Sequence, residues 1–232
     1  MTKVLMVVTA ADHWTLNDGT HHPTGFWAEE LVTPYAVFTD AGWDVDVATP
    51  GGKAPVVDKA SLDESAGDAD TLAEVKAQLE ELQPVLSQPL NLADVNAADY
   101  DLVFYPGGHG PMEDLAVDET SGRILTERME NNAPVALLCH APAAVLATEN
   151  APCGSPFAGR KMTGFSNDEE RAGGLADKAP WLLEDRLVAL GAEYEKAPEP
   201  WASYVTVDGN LYTGQNPSSS RELAQRLVKD LG

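Results

Sequence analysis

Short apolar segments alternate with helical patterns along most of this chain of 232 residues. The first, Lys3–Thr9, is a run of β-branched and apolar residues, as expected of a strand buried on both faces of a parallel sheet. This alternation predicts a doubly wound α/β fold, in which a mostly parallel sheet carries helices on both faces. The other predicted strands are Trp43–Thr49, Asp101–Tyr105, Val135–Leu138, Lys161–Gly164, Tyr204–Val207 and Leu211–Thr213. The predicted helices are Glu29–Ala41, Ala179–Leu190 and Ser218–Leu231.

Two stretches depart from this alternation. Ala10–Thr24 is polar, and this composition predicts a loop. Residues 53–99 hold Asp- and Ala-rich segments around a single helical pattern, Thr71–Leu82, which we expect Pro84 to end. We therefore predict one domain over residues 1–232, with an insertion at about residues 53–99 on one edge of the sheet.

The chain is strongly acidic, with 37 acidic and 15 basic residues and a formal net charge of −22. Such a surface repels phosphate backbones and anionic lipids, so we expect no nucleic-acid or membrane partner. No apolar run approaches the roughly 20 residues of a membrane span, and the first residues lack a signal-peptide pattern. We expect a cytoplasmic protein with two reduced thiols, of which Cys153, in a turn-rich loop, is incidental.

The other cysteine follows a predicted strand directly. Val135–Leu138 ends at Cys139 and His140, and Pro142 lies where the first turn of a helix tolerates proline. This arrangement is typical of a nucleophile elbow with sulfur in place of oxygen. Because a helix N-terminus stabilises negative charge, we expect it to favour the thiolate of Cys139. The alternative is a buried cysteine that only fills space.

Two further segments can contribute to a site at the ends of the strands. Pro106–Gly110 is a glycine-rich loop after a strand, which can bring backbone N–H groups to an anion or simply form a turn. Glu29 and Glu30 begin the helix after the first strand, where carboxylates also occur merely to complement the helix dipole.

The positions of the histidines narrow the chemistry. None follows residue 140, so a nucleophilic dyad that takes its histidine from far downstream is excluded, and the base must be adjacent or upstream. His21, His22, His109 and Glu30 are of the types that bind zinc or iron, but their spacing matches no strong motif. Exposed loop histidines are the better interpretation, and we predict no metal site.

Five ordered motifs together resemble the ThiJ/PfpI superfamily, and more narrowly its glyoxalase III and heat-shock chaperone branch. The similarity extends over nearly the whole chain, which makes it far more specific than any single motif. The motifs are the strand that runs into Cys139 and His140, Pro106–Gly110, Glu30–Pro34, Thr163–Glu170 and Thr213–Ser218.

The resemblance implies a flavodoxin-like form of the predicted fold, related to class I glutamine amidotransferases. When the motif positions are matched, the resemblance implies that Cys139 is the nucleophile and that His140 is its neighbour. It also implies that Glu170 is the carboxylate that orients the histidine. Glu30 would be the buried carboxylic acid beside the sulfur, because it precedes Pro34 by four residues as in the family. The residues implied to bind the substrate or its oxyanion are Gly107, Gly108, His109 and Trp27.

The choice of the third catalytic group stays open at this point. Ser166 and Glu169 have the spacing of a capping box, which gives Glu169 a structural role and favours Glu170. Asp168 is also present in this unusually acidic stretch, so Asp168, Glu169 and Glu170 all remain candidates.

The resemblance implies a cofactor-independent glyoxalase that converts methylglyoxal, a small 2-oxoaldehyde, to lactate, without a metal or glutathione. It also implies a homodimer. The alternatives are a stress-response holding chaperone, a redox sensor that oxidises Cys139, and a PfpI-type cysteine peptidase.

Overall fold

A seven-stranded sheet forms the centre of the protein, for which a computed structural model describes residues 2–232. The strands are β1 (Lys3–Val7), β2 (His13–Thr15), β3 (His21–Pro23), β4 (Asp44–Thr49), β5 (Leu90–Asn91), β6 (Leu102–Tyr105), β7 (Val135–Leu138), β8 (Lys161–Met162), β9 (Glu193–Tyr194), β10 (Val205–Asp208) and β11 (Leu211–Gly214). The order in the central sheet is β10-β11-β7-β6-β1-β4-β5. Only β10 in this sheet runs antiparallel to its neighbour. The predicted doubly wound, mostly parallel α/β fold is confirmed.

Helices cover this sheet in two groups. They are α1 (Ala28–Asp40), α2 (Ala69–Leu86), α3 (Gly110–Glu113), α4 (Glu119–Glu130), α5 (Asn167–Ala172), α6 (Leu183–Leu190) and α7 (Ser220–Leu231). Helix α1 packs against α7 and α2, whereas α4 and α6 pack against a 3-10 helix, Ala141–Thr148. Strands β6 and β7 are buried at every position because their side chains are apolar on both faces.

The segment over residues 53–99 extends the edge of the sheet and fixes the start of α1. Strand β5 pairs in parallel with β4 at that edge. The hydroxyl of Ser61 accepts a hydrogen bond from the backbone N–H of Ala28 at 3.1 Å, and Thr24 donates to Asp58 at 2.6 Å. These contacts hold the first turn of α1, which carries Glu30. That the segment is an insertion into one domain stays a prediction.

Several predicted boundaries were wrong. Helix α2 passes through Pro84, because a proline in the last turn removes only one helical hydrogen bond. Residues 10–24 contain the hairpin β2–β3, whose short strands carry too little apolar alternation to predict. Strand β8 pairs with β9 and lies outside the central sheet, and α6 begins at Leu183, after Pro180.

Within residues 2–232, no helix combines the length and apolar character needed to cross a membrane.

Candidate active site

Cys139 lies at a sharp backbone bend directly after β7. Its φ of 60° is in the left-handed region, which is strained for a residue with a side chain. Two hydrogen bonds of 2.8 Å hold this conformation: the N–H of Cys139 donates to the carbonyl of Gly214, and its carbonyl accepts from the N–H of Phe165. The predicted elbow is therefore formed, with Cys139 only 3% exposed.

The expectation that a helix N-terminus favours the thiolate was wrong in two respects. Residues 141–148 form a 3-10 helix with His140 at its N-cap, so no α-helix begins there. Burial raises the pKa of the Cys139 thiol well above its ordinary value, and the negative charge of Glu30 raises it further. The N–H of Gly108 opposes this by donating to the sulfur, but it does not outweigh burial.

The side chains of Cys139, His140 and Glu170 form a chain of polar contacts with His140 in the middle. The Sγ atom of Cys139 is 3.4 Å from Nδ1 of His140, and Nε2 of His140 is 2.7 Å from Oε2 of Glu170. The side chains of His140 and Glu170 are only 2% and 4% exposed.

The ionisation of this pair follows from its surroundings. Burial and the nearby His109 lower the pKa of His140 to about 4, against the opposing effect of Glu170. Burial alone would raise the pKa of Glu170, but the charges and hydrogen bonds of His140 and His109 hold it below its ordinary range. Because an ionised carboxylate only accepts hydrogen bonds, Nε2 of neutral His140 carries the proton and Nδ1 faces the thiol as an acceptor.

The three acidic candidates of α5 have separate environments. Asp168 is exposed and pairs with Lys196 and Arg171. Glu169 is fully buried and forms the capping box with Ser166. Its Oε1 also accepts the N–H of Trp201 and the amide of Asn216, at 2.9 and 2.8 Å. Of these three acids, Glu170 is the one hydrogen-bonded to His140.

Glu30 lies on the other side of the sulfur. It is fully buried in the first turn of α1, and its Oε2 accepts the N–H of Gly107 at 2.9 Å. Its Oε1 has no hydrogen-bond partner among the described residues. Burial raises the pKa of Glu30 well above its ordinary value, although the nearby Cys139 thiol and the N–H of Gly107 oppose this. Because the charge of each group opposes that of the other, Glu30 and Cys139 hold at least one proton between them near neutral pH.

Two glycines permit the close approach of these groups. A Cβ on Gly107 would lie 2.6 Å from Oε2 of Glu30 and 2.9 Å from Cβ of Cys139. Gly108 has a φ of +95°, and a Cβ there would lie 2.6 Å from the backbone nitrogen of Trp27. The backbone N–H of Trp27 donates to the carbonyl of Gly107 at 3.0 Å. The loop after β6 therefore packs closely between α1 and the bend at Cys139. This close packing requires glycine at positions 107 and 108.

The histidines are arranged differently from the metal-ligating set considered in the sequence. His21 stacks on His13, with ring centroids 4.0 Å apart, and Glu30 has no histidine among its hydrogen-bond partners in residues 2–232. The ring of His109, for which substrate binding stays a prediction, places Nε2 at 2.9 Å from Oε1 of Glu170. His109, His140 and Glu170 therefore form a cluster whose ligand atoms lie within 4.8 Å of one another.

Aromatic side chains that were not predicted as site residues enclose these histidines. Trp14 stacks on His109 at 5.2 Å, and Phe165 lies 4.2 Å from His140. Trp201, half exposed and strained with a φ of 67°, contacts Phe165 at 5.5 Å. Two sequence signals pointed to this enclosure: Phe165 lies inside the motif Thr163–Glu170, and Trp201 fits the glyoxalase III branch.

Known proteins share this arrangement of the chain. A sequence model of the DJ-1/PfpI family matches residues 23–230. The chain is 30% identical over 234 residues to the Saccharomyces cerevisiae protein named glutathione-independent glyoxalase HSP31, covering 99% of this chain and 98% of that relative. It is 29% identical over 240 residues to the protein/nucleic acid deglycase HchA of Staphylococcus aureus, covering 99% and 80%. The crystal structure of glyoxalase III from Candida albicans superposes with a TM-score of 0.84 at 26% identity, covering 98% of this chain and 96% of the other.

Proposed function

The chain belongs to the DJ-1/PfpI family, as its sequence motifs predicted, and on that premise we propose that it is a glutathione-independent glyoxalase that converts methylglyoxal to lactate in carbonyl-stress detoxification. The observation that carries the proposal is the placing of Cys139 between two different groups. On one side is His140, whose ring is oriented by Glu170 and whose Nδ1 lies 3.4 Å from the sulfur. On the other is the buried carboxyl of Glu30, whose charge acts on the sulfur.

The first step is addition of sulfur to the aldehyde carbon. Nδ1 of His140 accepts the thiol proton while the C–S bond forms, so that a free thiolate need not accumulate in this buried site. The aldehyde oxygen becomes an oxyanion, which the backbone N–H groups of Gly108 and His140 stabilise. Proton return gives a neutral hemithioacetal.

The second step moves hydrogen from C1 to C2. Glu30, as a carboxylate, removes the C1 proton to give an enediolate, and the resulting acid returns this proton to C2 while the hydroxyl proton of C1 passes to the oxygen of C2. His140 is the alternative base. C1 is oxidised to a thioester while C2 is reduced to an alcohol, so the redox change is internal and the scheme needs no external electron acceptor.

Hydrolysis completes the cycle. Water attacks the thioester carbon, the C–S bond breaks, and the sulfur recovers a proton as lactate leaves. The net reaction adds one water to methylglyoxal. The raised pKa of Glu30, caused by burial, suits a group that must give and take a proton near neutral pH.

The surroundings of the thiol favour a small carbonyl substrate. Because Cys139 is only 3% exposed, a peptide or nucleic acid does not reach its sulfur unless neighbouring residues move. The net charge of −22 also opposes a polyanionic substrate, although the relative HchA is named for action on nucleic acid as well as protein. We propose a cytoplasmic homodimer with no metal or cofactor in the reaction.

The test is lactate formation from methylglyoxal by the purified protein without glutathione. Wild type should form lactate, Cys139→Ala should not, and Cys153→Ser, which changes the exposed thiol, should match wild type. Lactate formation by Cys139→Ala at the wild-type rate would refute the mechanism. Absence of lactate with wild type, together with release of methylglyoxal adducts from peptides, would replace the glyoxalase proposal with a deglycase.

A further inference from the structure

Glu170 hydrogen-bonds to two histidines, although one of these bonds is enough to orient His140. Its Oε1 is 2.9 Å from Nε2 of His109, and its Oε2 is 2.7 Å from Nε2 of His140. The His109 side chain is 14% exposed, against 2% for His140. The two rings lie against each other with centroids 4.0 Å apart. Two imidazole nitrogens and a carboxylate thus converge beside the nucleophile.

We propose that His109, His140 and Glu170 form a binding site for a divalent transition-metal ion of the zinc type, and that occupancy of this site switches off Cys139. Two histidines and one carboxylate are a ligand set that zinc uses with a fourth position left to water. The binding part of the proposal stands on the geometry alone. The inhibitory part rests on the proposed glyoxalase function.

Binding requires only a modest rearrangement. Zinc takes its nitrogen and oxygen ligands at about 2.0–2.2 Å, so ligand atoms around one tetrahedral ion stand roughly 3.3 Å apart. The two nitrogen–oxygen pairs are now at hydrogen-bond distances of 2.7–2.9 Å and must part by about half an ångström. The three ligand atoms lie within 4.8 Å of one another, so the widest pair must close by up to about 1.5 Å. His109 is the more exposed member and provides both the movement and the route of access.

The same binding removes the base from the proposed reaction. A metal ion on Nε2 of His140 takes the lone pair of that nitrogen, so the ring proton moves from Nε2 to Nδ1, and no net proton is released. Nδ1 lies 3.4 Å from the sulfur of Cys139 and then carries a hydrogen. It no longer accepts the thiol proton, and the first step of the reaction stops.

A second group of histidines provides a rival site on the surface. His13 lies 2.6 Å from Asp12 and 3.7 Å from Glu113, and His21 stacks on it. These groups are more exposed than the proposed site. His21→Asn is therefore the matched control for His109→Asn, because each substitution removes one imidazole and keeps a polar side chain.

Binding is measured first, by calorimetric titration of the full chain with zinc chloride. Cys153→Ser serves as the background, since an exposed thiol also binds zinc. One ion should bind per chain, His109→Asn should weaken binding at least about 10-fold, and His21→Asn should change it less than about 2-fold. Equal affinities for His109→Asn and its parent, or loss of binding in His21→Asn, would overturn the site.

A second variant and a second readout guard against misfolding. His109→Gln should weaken binding as His109→Asn does, and the thermal midpoint of both variants should lose the rise that zinc produces in their parent. Cys139→Ser should still bind zinc, because the thiol is not among the ligands. Loss of zinc binding in a folded Cys139→Ser protein would show that sulfur is a ligand and contradict the assignment.

Inhibition is then tested on lactate formation. Activity of Cys153→Ser should fall over the same zinc concentrations that fill the site and return on addition of EDTA. Full occupancy with unchanged activity would refute the inhibitory part. A protein that binds zinc at these residues but forms no lactate before zinc is added would refute the proposed function and leave the metal site standing.

Discussion

The carboxyl of Glu30 and the thiol of Cys139 are buried together, and the charge of Glu30 raises the pKa of Cys139. The two groups come from α1 and from the end of β7, and Gly107 fills the space between them. Because two buried anions repel each other, at least one proton stays with the pair near neutral pH.

Glu30→Gln should therefore lower the pKa of the Cys139 thiol. The neutral amide keeps the size of the side chain and the acceptor for Gly107, but it removes the negative charge that opposes thiolate formation. The pKa is read from thiolate absorbance against pH in a Cys153→Ser background. An unchanged or raised thiol pKa in Glu30→Gln would contradict the coupling.

The same substitution should make stability less dependent on pH. A carboxyl whose pKa is raised on folding favours the folded state most below its ordinary pKa of 4.5, and this contribution is lost as pH rises towards the folded value. Above pH 4.5 the free energy of unfolding of Glu30→Gln should therefore rise relative to that of wild type. The difference should grow by up to about 1.4 kcal/mol per pH unit. Denaturant titrations from pH 4 to 9 check this, with Glu80→Gln on the exposed face of α2 as a control that should stay level with wild type.

Gly107→Ala should damage the site through its backbone neighbours. A Cβ at this position would lie 2.5 Å from the carbonyl oxygen of Leu138 and 2.6 Å from Oε2 of Glu30. We expect a loss of about 1–3 kcal/mol of stability and most of the lactate formation per folded molecule. Gly67→Ala, whose added Cβ would have its nearest neighbours at 3.8 Å, should match wild type. Full activity of Gly107→Ala would contradict this packing.

The neighbours Glu169 and Glu170 should separate stability from catalysis. Glu169→Gln weakens the acceptor of the N–H of Ser166 and of Trp201, at 2.9 Å each, and should cost about 1–3 kcal/mol of unfolding free energy. Glu170→Gln leaves those bonds in place and should lower kcat at least about 100-fold, because His140 loses its ionised partner. Denaturant unfolding and lactate formation, measured on both variants, check this, and the reverse pattern would exchange the two roles.

The sequence predicted the elements that depend on local pattern. The strand ending at Cys139 and the capping box of Ser166 and Glu169 both follow from neighbouring residues, and both are formed. The position of His109 could not be predicted in the same way, because its partner Glu170 is 61 residues away. The raised pKa of Cys139 also escaped prediction, since it depends on burial by segments that meet only in the folded chain.

Arg128 should contribute to stability and not to catalysis. This buried residue of α4 joins the ends of several loops, because its guanidinium donates to four carbonyls at 2.6–3.1 Å. Arg128→Lys cannot reproduce that planar fork and should lose about 2–4 kcal/mol in denaturant unfolding, with unchanged lactate formation per folded molecule. Those four carbonyls belong to Ala97, Tyr100, Asp101 and Pro134.

Arg123→Lys is the matched control for Arg128→Lys. Arg123 lies in the same helix and pairs with Glu127 at 3.2 Å, with both side chains about half exposed. It should change the free energy of unfolding by less than about 0.5 kcal/mol. A similar loss in both variants would show that the buried carbonyls do not depend on Arg128.

The bend at Cys139 is closed by parts of the chain that follow it. Its N–H needs the carbonyl of Gly214, and its carbonyl needs the N–H of Phe165. During synthesis Cys139 is therefore made before both of its partners, and its bend cannot be closed by them until they too have been made. The bend at the proposed nucleophile can close only when β11, which carries Gly214, has joined the sheet.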